Sequence, residues 1–181
     1  MVKYNFKPCI IFFTGISASG KSTICKNLKK KLIKLGIKKI KYIDGDFFRK
    51  NLKNFNYQNN NRNKIGNYKI SLAKHYYRKK YLVLVSGVAH NRKWRMKIKT
   101  QNKNYFEIYV KCLIKTCIKR DFKDQYMKAK SGLIKDFIGI SEPYQLGTSK
   151  DLIVNTSRLS ISMSVNKVMN FIIKKNYVYK K

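Results

Sequence analysis

The stretch Phe12–Thr23, FFTGISASGKST, decides the fold of this 181-residue chain. It begins inside an apolar run, CIIFF, and leads into TICKNLKKKLIKL, whose apolar residues recur at helical spacing. Between the two runs, Gly15–Ser22 fits the pattern GxxxxGK[ST]. A strand, a glycine-spaced turn and a helix in this order predict a loop that binds the phosphates of a nucleoside triphosphate.

The chemistry of such a loop gives each residue type a role. Glycines let the main chain wrap closely around phosphate oxygens, and the N–H groups of the loop and the helix N-terminus point at the anion. Lys21 is expected to reach the terminal phosphates, and Ser22 to offer its hydroxyl to Mg²⁺. ATP and Mg²⁺ are therefore the predicted cofactors. The residues predicted to bind the nucleotide are Gly15, Ser17, Ala18, Ser19, Gly20, Lys21, Ser22 and Thr23.

Short apolar runs alternate with longer helical patterns along the chain. The predicted strands are Cys9–Thr14, Lys39–Ile43, Tyr81–Ser86, Tyr105–Lys111 and Leu152–Asn155. The predicted helices are Lys21–Leu35, Lys64–Arg78, Ile114–Arg120, Gln125–Lys130 and Val165–Lys175, and the predicted long loops are Asn51–Asn63 and Ser131–Lys150. The alternation predicts one α/β domain over residues 1–181, a P-loop NTPase fold with about five parallel strands and helices on both faces of the sheet.

A second acidic centre follows the second predicted strand, in YIDGDFFR (Tyr42–Arg49). Open α/β sheets bind their ligands at the carboxyl ends of the strands, where Asp44 and Asp46 are expected to lie. We predict that Asp44 and Ser22 support Mg²⁺, and that Asp46 orients or deprotonates an acceptor hydroxyl. Arg49 adds a planar fork of donors for an anionic substrate.

The charge balance is extreme, with 42 Lys and Arg against 8 Asp and Glu and a formal net charge of +34. The basic residues are spread along the whole chain, and no nucleic-acid recognition module is visible, so an anionic small-molecule substrate is favoured over nucleic acid. The spacing of the four cysteines and two histidines does not suggest zinc. No apolar stretch is long enough for a bilayer, and no leader segment is evident, so we expect a cytoplasmic protein without a membrane partner.

Four blocks of the sequence resemble the adenylylsulfate kinases, which phosphorylate the ribose 3′-hydroxyl of adenosine 5′-phosphosulfate (APS). The blocks are GISASGKST, DGDFFRKNL, YFEIYVKCLIKTCIKRDFKDQYMKAKSGLIKDFIGISEPY and LIVNTS. The third is the most specific, since it is similar to the family's RDxKGLYxKAxxGxIxxFTGIxxPYE segment. The resemblance implies ATP-dependent formation of 3′-phosphoadenosine 5′-phosphosulfate (PAPS), a mobile lid over about residues 120–147, and a homodimer.

The resemblance also implies acceptor-binding positions. Asp46 and Arg49 match residues that meet the sulfonucleotide, and Phe137 matches an aromatic expected to stack on the acceptor adenine. The other positions that the resemblance marks for the acceptor are Tyr57, Arg62, Ile65, Val88, Ala89, Lys123 and Asp136.

Three departures from the family pattern leave the acceptor open. Ala89 stands where the family has a serine, which excludes a phosphoserine there and leaves direct transfer from ATP. Ile65 replaces an asparagine, for which Asn67 is a candidate substitute, and Asp124-Gln125-Tyr126 replaces Gly-Leu-Tyr. Two rivals follow. One is a kinase of another nucleotide-linked acceptor, such as a cytidine diphosphoramidate-type kinase in polysaccharide modification, and the other is a basic nucleic-acid-associated ATPase.

Two further residues near the third predicted strand have open interpretations. His90 could contact the acceptor, but a lone histidine after a strand is more typical of a surface or hydrogen-bonded position. Trp94 could line a nucleotide cleft or lie partly buried on a helix.

Overall fold

The computed structural model describes residues 4–45, 59–147 and 150–180. The strands of this part are β1 (Tyr4–Phe6), β2 (Cys9–Thr14), β3 (Ile40–Ile43), β4 (Leu82–Ser86), β5 (Tyr105–Lys111), β6 (Leu152–Asn155) and β7 (Val178–Lys180). Its helices are α1 (Lys21–Lys34), α2 (Asn59–Arg78), α3 (Arg92–Thr100), α4 (Ile114–Lys119), α5 (Gln125–Lys130) and α6 (Ile161–Lys174).

The main sheet has five parallel strands in the order β3-β4-β2-β5-β6, which confirms the predicted fold. The central strand β2 is buried on both faces. Cys9, Ile11 and Phe13 enter one apolar cluster, whereas Ile10 and Phe12 enter the other. This two-sided burial explains why CIIFF reads as a continuous apolar run and not as an alternating one.

Helices cover both faces of the sheet. On one face, α1 packs against α6, and on the other, α2 packs against β4 and β2. Helix α1 contributes Ile24, Leu28 and Leu32 to the core at helical spacing. The crossover connections leave the carboxyl ends of β2, β3 and β4 at one edge of the sheet, where parallel folds place their ligands.

Several boundaries differ from the sequence-based expectations. Helix α3 was not predicted, because RKWRMKIKT is rich in charge and its most buried member is Arg95. Helix α2 begins at Asn59, so the loop predicted for residues 51–63 is wrong at its C-terminal end, and residues 51–58 lie outside the described part. Helix α6 begins at Ile161, earlier than predicted, where the Ser160 hydroxyl accepts a hydrogen bond from the Met163 N–H at 3.2 Å.

The chain ends are joined by a short antiparallel ribbon. Strand β7 pairs with β1, with Tyr4 opposite Lys180. The Tyr177 hydroxyl donates a 2.6 Å hydrogen bond to Asn104 Oδ1, which ties the ribbon to the loop before β5. Among the residues described, no helix has the length and apolar character to cross a bilayer.

Candidate active site

The phosphate loop between β2 and α1 depends on two glycines. Gly15 has a φ of +145°, and a Cβ there would lie 2.5 Å from the Val110 main-chain oxygen. Gly20, with a φ of +95°, precedes the first residue of α1. Because other residues adopt these backbone angles only at a cost, glycine at both positions lets the loop curl in front of the α1 N-terminus.

Lys21 is folded back over this loop. Its ammonium donates to the Ile16 main-chain oxygen at 2.5 Å and to Ser19 Oγ at 3.2 Å. Thr156, just after β6, supports the loop from behind, since its hydroxyl donates to the Ser19 main-chain oxygen at 2.8 Å. The Lys21 cation therefore lies directly at the loop, where a polyphosphate would need it.

The candidate metal ligands lie beside the loop. Asp44 follows β3 directly, and its Oδ1 accepts a 3.2 Å hydrogen bond from the hydroxyl of Ser86 at the end of β4. Asp44 and Ser22 line the same cleft. A carboxylate and a hydroxyl oxygen are ligands that suit Mg²⁺, which usually binds few protein groups and keeps several waters. The residues present therefore fit the ion.

The nucleotide cleft extends from the loop over about 610 Å³. Its walls come from α1, from the carboxyl ends of β3 and β4, and from the segments after α4 and β6. Its cationic lining includes Lys21, Lys26, Arg120 and Lys123. Arg120 is held in place by donating to the Thr156 main-chain oxygen at 2.9 Å. The cleft is thus built for a polyanion.

The segment predicted as a lid is packed onto the phosphate loop. The Tyr126 hydroxyl, on α5, donates to the Ser17 main-chain oxygen at 2.9 Å, and Ser17 Oγ donates to Gln125 Oε1 at 2.9 Å. The Tyr126 and Phe137 rings meet edge to face, with centroids 5.0 Å apart. Asp124, before α5, has a φ of +53°. The lid therefore moves only if these loop contacts break.

A second pocket lies on the other side of the loop. Its lining includes Arg62, Ile65, Val88, Ala89, His90, Trp94 and Phe137. The Arg62 guanidinium donates to the Asp136 main-chain oxygen, which links α2 to the lid. We call this the acceptor pocket. It shares Ser17, Val88 and Gln125 with the nucleotide cleft, so the two sites meet at one wall.

Arg95 fixes the far wall of the acceptor pocket. It is 1% exposed, and its Nε donates to Glu107 Oε1 at 3.1 Å. Its other nitrogens donate to the main-chain oxygens of Ala89 at 2.5 Å, His90 at 2.9 Å and Gln145 at 2.6 Å. One buried guanidinium therefore joins β5, the turn after β4 and the end of the lid.

His90 is a buried lining residue, 8% exposed, so its interpretation as a surface residue is wrong. Burial lowers the pKa of His90, the nearby charges of Arg62 and Arg95 lower it further, and Glu142 opposes them. The imidazole is therefore neutral at pH 7 and offers the pocket one donor and one acceptor.

The comparisons with known proteins identify the family. Residues 7–155 match the family model of adenylylsulphate kinase. The chain belongs to the adenylylsulphate kinase family. It is 33% identical to a probable adenylyl-sulfate kinase of Halalkalibacterium halodurans, over 93% of this chain and 84% of that protein. It is 34% identical to a probable adenylyl-sulfate kinase of Bacillus subtilis, over 91% and 83% of the two chains.

A solved structure supports the same family assignment. The APS kinase of Mycobacterium tuberculosis, in complex with AMPPNP and APS, superposes with a TM-score of 0.84 at 27% identity, over 93% of this chain and 99% of that one. The resemblance to adenylylsulfate kinases stated from the sequence motifs is therefore confirmed.

The described structure places only some of the acceptor residues expected for an adenylylsulphate kinase around the acceptor pocket. Arg62, Ile65, Val88, Ala89 and Phe137 line it. The other expected residues fall into three groups. Lys123 lines the nucleotide cleft, Asp136 supplies its main-chain oxygen to Arg62, and Asp46, Arg49 and Tyr57 lie outside the described residues.

The missing asparagine of the family pattern is not replaced by Asn67. The Asn67 side chain accepts a 2.7 Å hydrogen bond from Trp94 Nε1 and is not among the lining residues of the acceptor pocket, whereas Asn63 is. Trp94 lies partly buried on α3 and lines the acceptor pocket, so its interpretation as a helix residue is confirmed, and a contact with a nucleotide stays a prediction.

Sequence reasoning missed several residues of the two sites. They are Asn63, Lys69, Arg95, Arg120, Gln125 and Thr156. Thr156 could have been found, because it belongs to the LIVNTS block that carries part of the family resemblance. Arg120 and Gln125 could likewise have been found, because they belong to the third block, whereas Asn63, Lys69 and Arg95 depend on contacts between residues far apart in the chain.

Proposed function

We propose that this chain transfers the γ-phosphoryl group of ATP to the 3′-hydroxyl of APS, which yields ADP and PAPS. The shared wall of the two sites carries this proposal. Ser17, Val88 and Gln125 line both the nucleotide cleft and the acceptor pocket. Nucleotides bound in the two sites would thus meet end to end, as direct transfer requires.

On the nucleotide side, the chain supplies position and positive charge. The N–H groups of the loop hold the β- and γ-phosphates, and Lys21 neutralises charge on the phosphoryl group that moves. Arg120 and Lys123 add cations on the lid side of the cleft. Ser22 and Asp44 would hold Mg²⁺, which would supply further positive charge to the phosphates.

On the acceptor side, Arg62 offers a fork of donors to the phosphosulfate, and the aromatic lining offers apolar surface to the adenine. Asp46 is our candidate for the group that orients or deprotonates the 3′-hydroxyl, with Arg49 and Tyr57 as further acceptor contacts. Asp136, whose main-chain oxygen accepts a hydrogen bond from Arg62, is a further candidate for an acceptor contact.

Ala89 determines the route of transfer. It stands in the acceptor pocket where the family resemblance has a serine, and an alanine side chain cannot carry phosphate. The phosphoryl group therefore passes from ATP to the acceptor in one step. The lid, fastened to the loop by Tyr126 and Gln125, excludes water and so limits ATP hydrolysis.

The test is ADP release by the purified protein with Mg·ATP, with and without APS. We expect release that depends on APS. If APS does not stimulate ADP release but a cytidine derivative or another adenosine derivative does, that nucleotide is the acceptor. Release stimulated by RNA or DNA, and suppressed steeply by salt, would instead support the ATPase rival.

We also propose that the protein is cytoplasmic and forms a homodimer, as the family resemblance implies. Light scattering of the purified protein tests the second point. A mass of about twice the 21.4 kDa of the chain supports it, and a monomer mass overturns it.

A further inference from the structure

The single tryptophan of the chain, Trp94, lines the acceptor pocket from α3. Its Nε1 donates a 2.7 Å hydrogen bond to Asn67 Oδ1 on α2. The indole also meets the ring of Phe12, on β2, edge to face, with centroids 6.0 Å apart, and Phe12 lines the same pocket. The indole is therefore held at the pocket from α2 and from β2.

Helix α2 makes room for this ring at Gly66. A Cβ there would lie 3.0 Å from Trp94 Cζ2 and 3.4 Å from Cε2 and Cη2, which is tighter than most side-chain contacts. Gly66 lies inside a 20-residue helix, where glycine is destabilising relative to alanine. The close approach of the indole is thus the feature that favours glycine at this position.

The chemistry of the ring indicates what it can bind. An indole has one polar atom, Nε1, which donates one hydrogen bond and accepts none. In Trp94 this donor is directed to Asn67, so the ring offers the pocket an apolar π surface and not a hydrogen bond to a phosphate or sulfate. Such a surface suits a flat nucleotide base, which stacks on aromatic rings.

We propose that Trp94 is a specificity-determining residue of the acceptor pocket, whose indole packs against the base of the acceptor nucleotide. Gly66 and Asn67 act as its positioning residues, since one leaves space for the ring and the other holds its N–H. Ile65 and Ile138 line the same pocket and extend the apolar surface. That the acceptor is a nucleotide rests on the proposed function, but the contact with the base does not depend on which hydroxyl is phosphorylated.

The test uses Trp94 as its own reporter, because the chain has no other tryptophan. The wild type is saturated with Mg·ADP, which fills the nucleotide cleft, and adenosine 5′-phosphate is then titrated while tryptophan fluorescence and binding heat are recorded. We expect a saturable change of fluorescence with the dissociation constant that calorimetry gives. Ribose 5-phosphate has the same sugar and phosphate without the base, and it should leave the fluorescence unchanged.

Substitutions measure how much the contact contributes to binding. Trp94→Leu keeps an apolar side chain but removes the ring, and it should weaken adenosine 5′-phosphate by about 5- to 100-fold. Trp94→Phe keeps a ring and should recover most of the affinity. Gly66→Ala should weaken the ligand in the wild type, because the added methyl group displaces the indole, and should have no further effect in the Trp94→Leu background.

Met96→Ala is the matched control. Met96 lies on the same helix, is 38% exposed and lines neither pocket, so this variant should bind adenosine 5′-phosphate as the wild type does. Binding of Mg·ADP should be the same in all variants, since Trp94 does not line the nucleotide cleft.

The outcomes separate this proposal from the proposed function. Binding of adenosine 5′-phosphate without a change of fluorescence, or with equal affinity in the wild type and Trp94→Leu, overturns the contact with the base. Equal weakening of adenosine 5′-phosphate and Mg·ADP in Trp94→Leu overturns it too and makes Trp94 structural. If cytidine 5′-phosphate gives the expected effects and adenosine 5′-phosphate does not, the contact stands and APS is the wrong acceptor. If neither nucleotide binds beside Mg·ADP, the contact and the proposed acceptor are both wrong.

Discussion

The hydroxyl of Tyr126 donates a 2.9 Å hydrogen bond to the main-chain oxygen of Ser17. Tyr126 is fully buried, and Ser17 lies in the middle of the phosphate loop. A side chain of the lid thus holds the backbone of the loop that binds the nucleotide. We expect nucleotide binding and lid position to be coupled through this contact.

Tyr126→Phe should weaken ATP binding while the fold persists. The ring keeps its edge-to-face contact with Phe137, and the hydroxyl loses its hydrogen bond to the loop. A hydrogen bond of this kind contributes about 1 kcal/mol, which corresponds to a rise in the KM for ATP of about fivefold. Steady-state kinetics measure it, and Tyr179→Phe on the terminal ribbon is the control. An unchanged KM would show that lid and loop are not coupled here.

Lys21→Ala should abolish APS-dependent ADP release without unfolding the protein. The ammonium contacts the loop and is placed to neutralise the transferred phosphoryl group. Its loss should lower kcat by at least about 100-fold, as for other preorganised charges at a reacting centre. Circular dichroism verifies the fold of the variant. Activity close to that of the wild type would contradict the assignment of the phosphate loop.

The fold could be predicted from sequence because its signals are local. CIIFF and LVLVS are short apolar runs typical of strands buried on both faces, and GISASGKS has glycines where the main chain must curl. The terminal ribbon was not predicted, because it pairs Tyr4 with Lys180, and no local sequence pattern indicates a pairing across the whole chain.

The candidate site could be predicted only where a motif carries it. The loop and Asp44 follow strands directly, so their position could be inferred. Arg95 could not, since its function depends on Glu107 across the fold and on three main-chain oxygens. Lys69 likewise depends on the space left by Gly87, which no helical pattern reports.

Arg95→Met should destabilise the protein strongly. Arg95 and Glu107 form an ion pair with both side chains 1% exposed, and burial raises the pKa of Glu107 against the opposing charge of Arg95. Breaking a buried pair costs about 3–5 kcal/mol, since the remaining charge is left without compensation. Denaturant unfolding measures this loss.

Lys99→Met is the matched control for that experiment. It breaks the Lys99–Asp151 pair, which is 2.8 Å long but more exposed, and should cost at most about 1 kcal/mol. If both variants lose the same free energy of unfolding, the burial of Arg95 does not add to its contribution to stability.

His90 should make stability depend on pH. Its pKa is lowered by folding, so below its usual value of about 6.5 the unfolded chain binds a proton that the folded chain does not. Stability from this residue is therefore present above pH 6.5 and declines as the pH falls below it. Unfolding temperatures between pH 7.5 and 5.5 should drop less in His90→Gln than in the wild type. The exposed His75→Gln should follow the wild type, and equal slopes for all three would contradict the burial of His90.

The most direct test of the central claim is the structure of the reaction product. Purified protein is incubated with Mg·ATP and APS, and the nucleotide products are identified by mass and phosphorus NMR. The account predicts one ADP for each APS consumed and a product with one new phosphate on the ribose 3′-oxygen. Unchanged APS, or a phosphate at any other position, would contradict it.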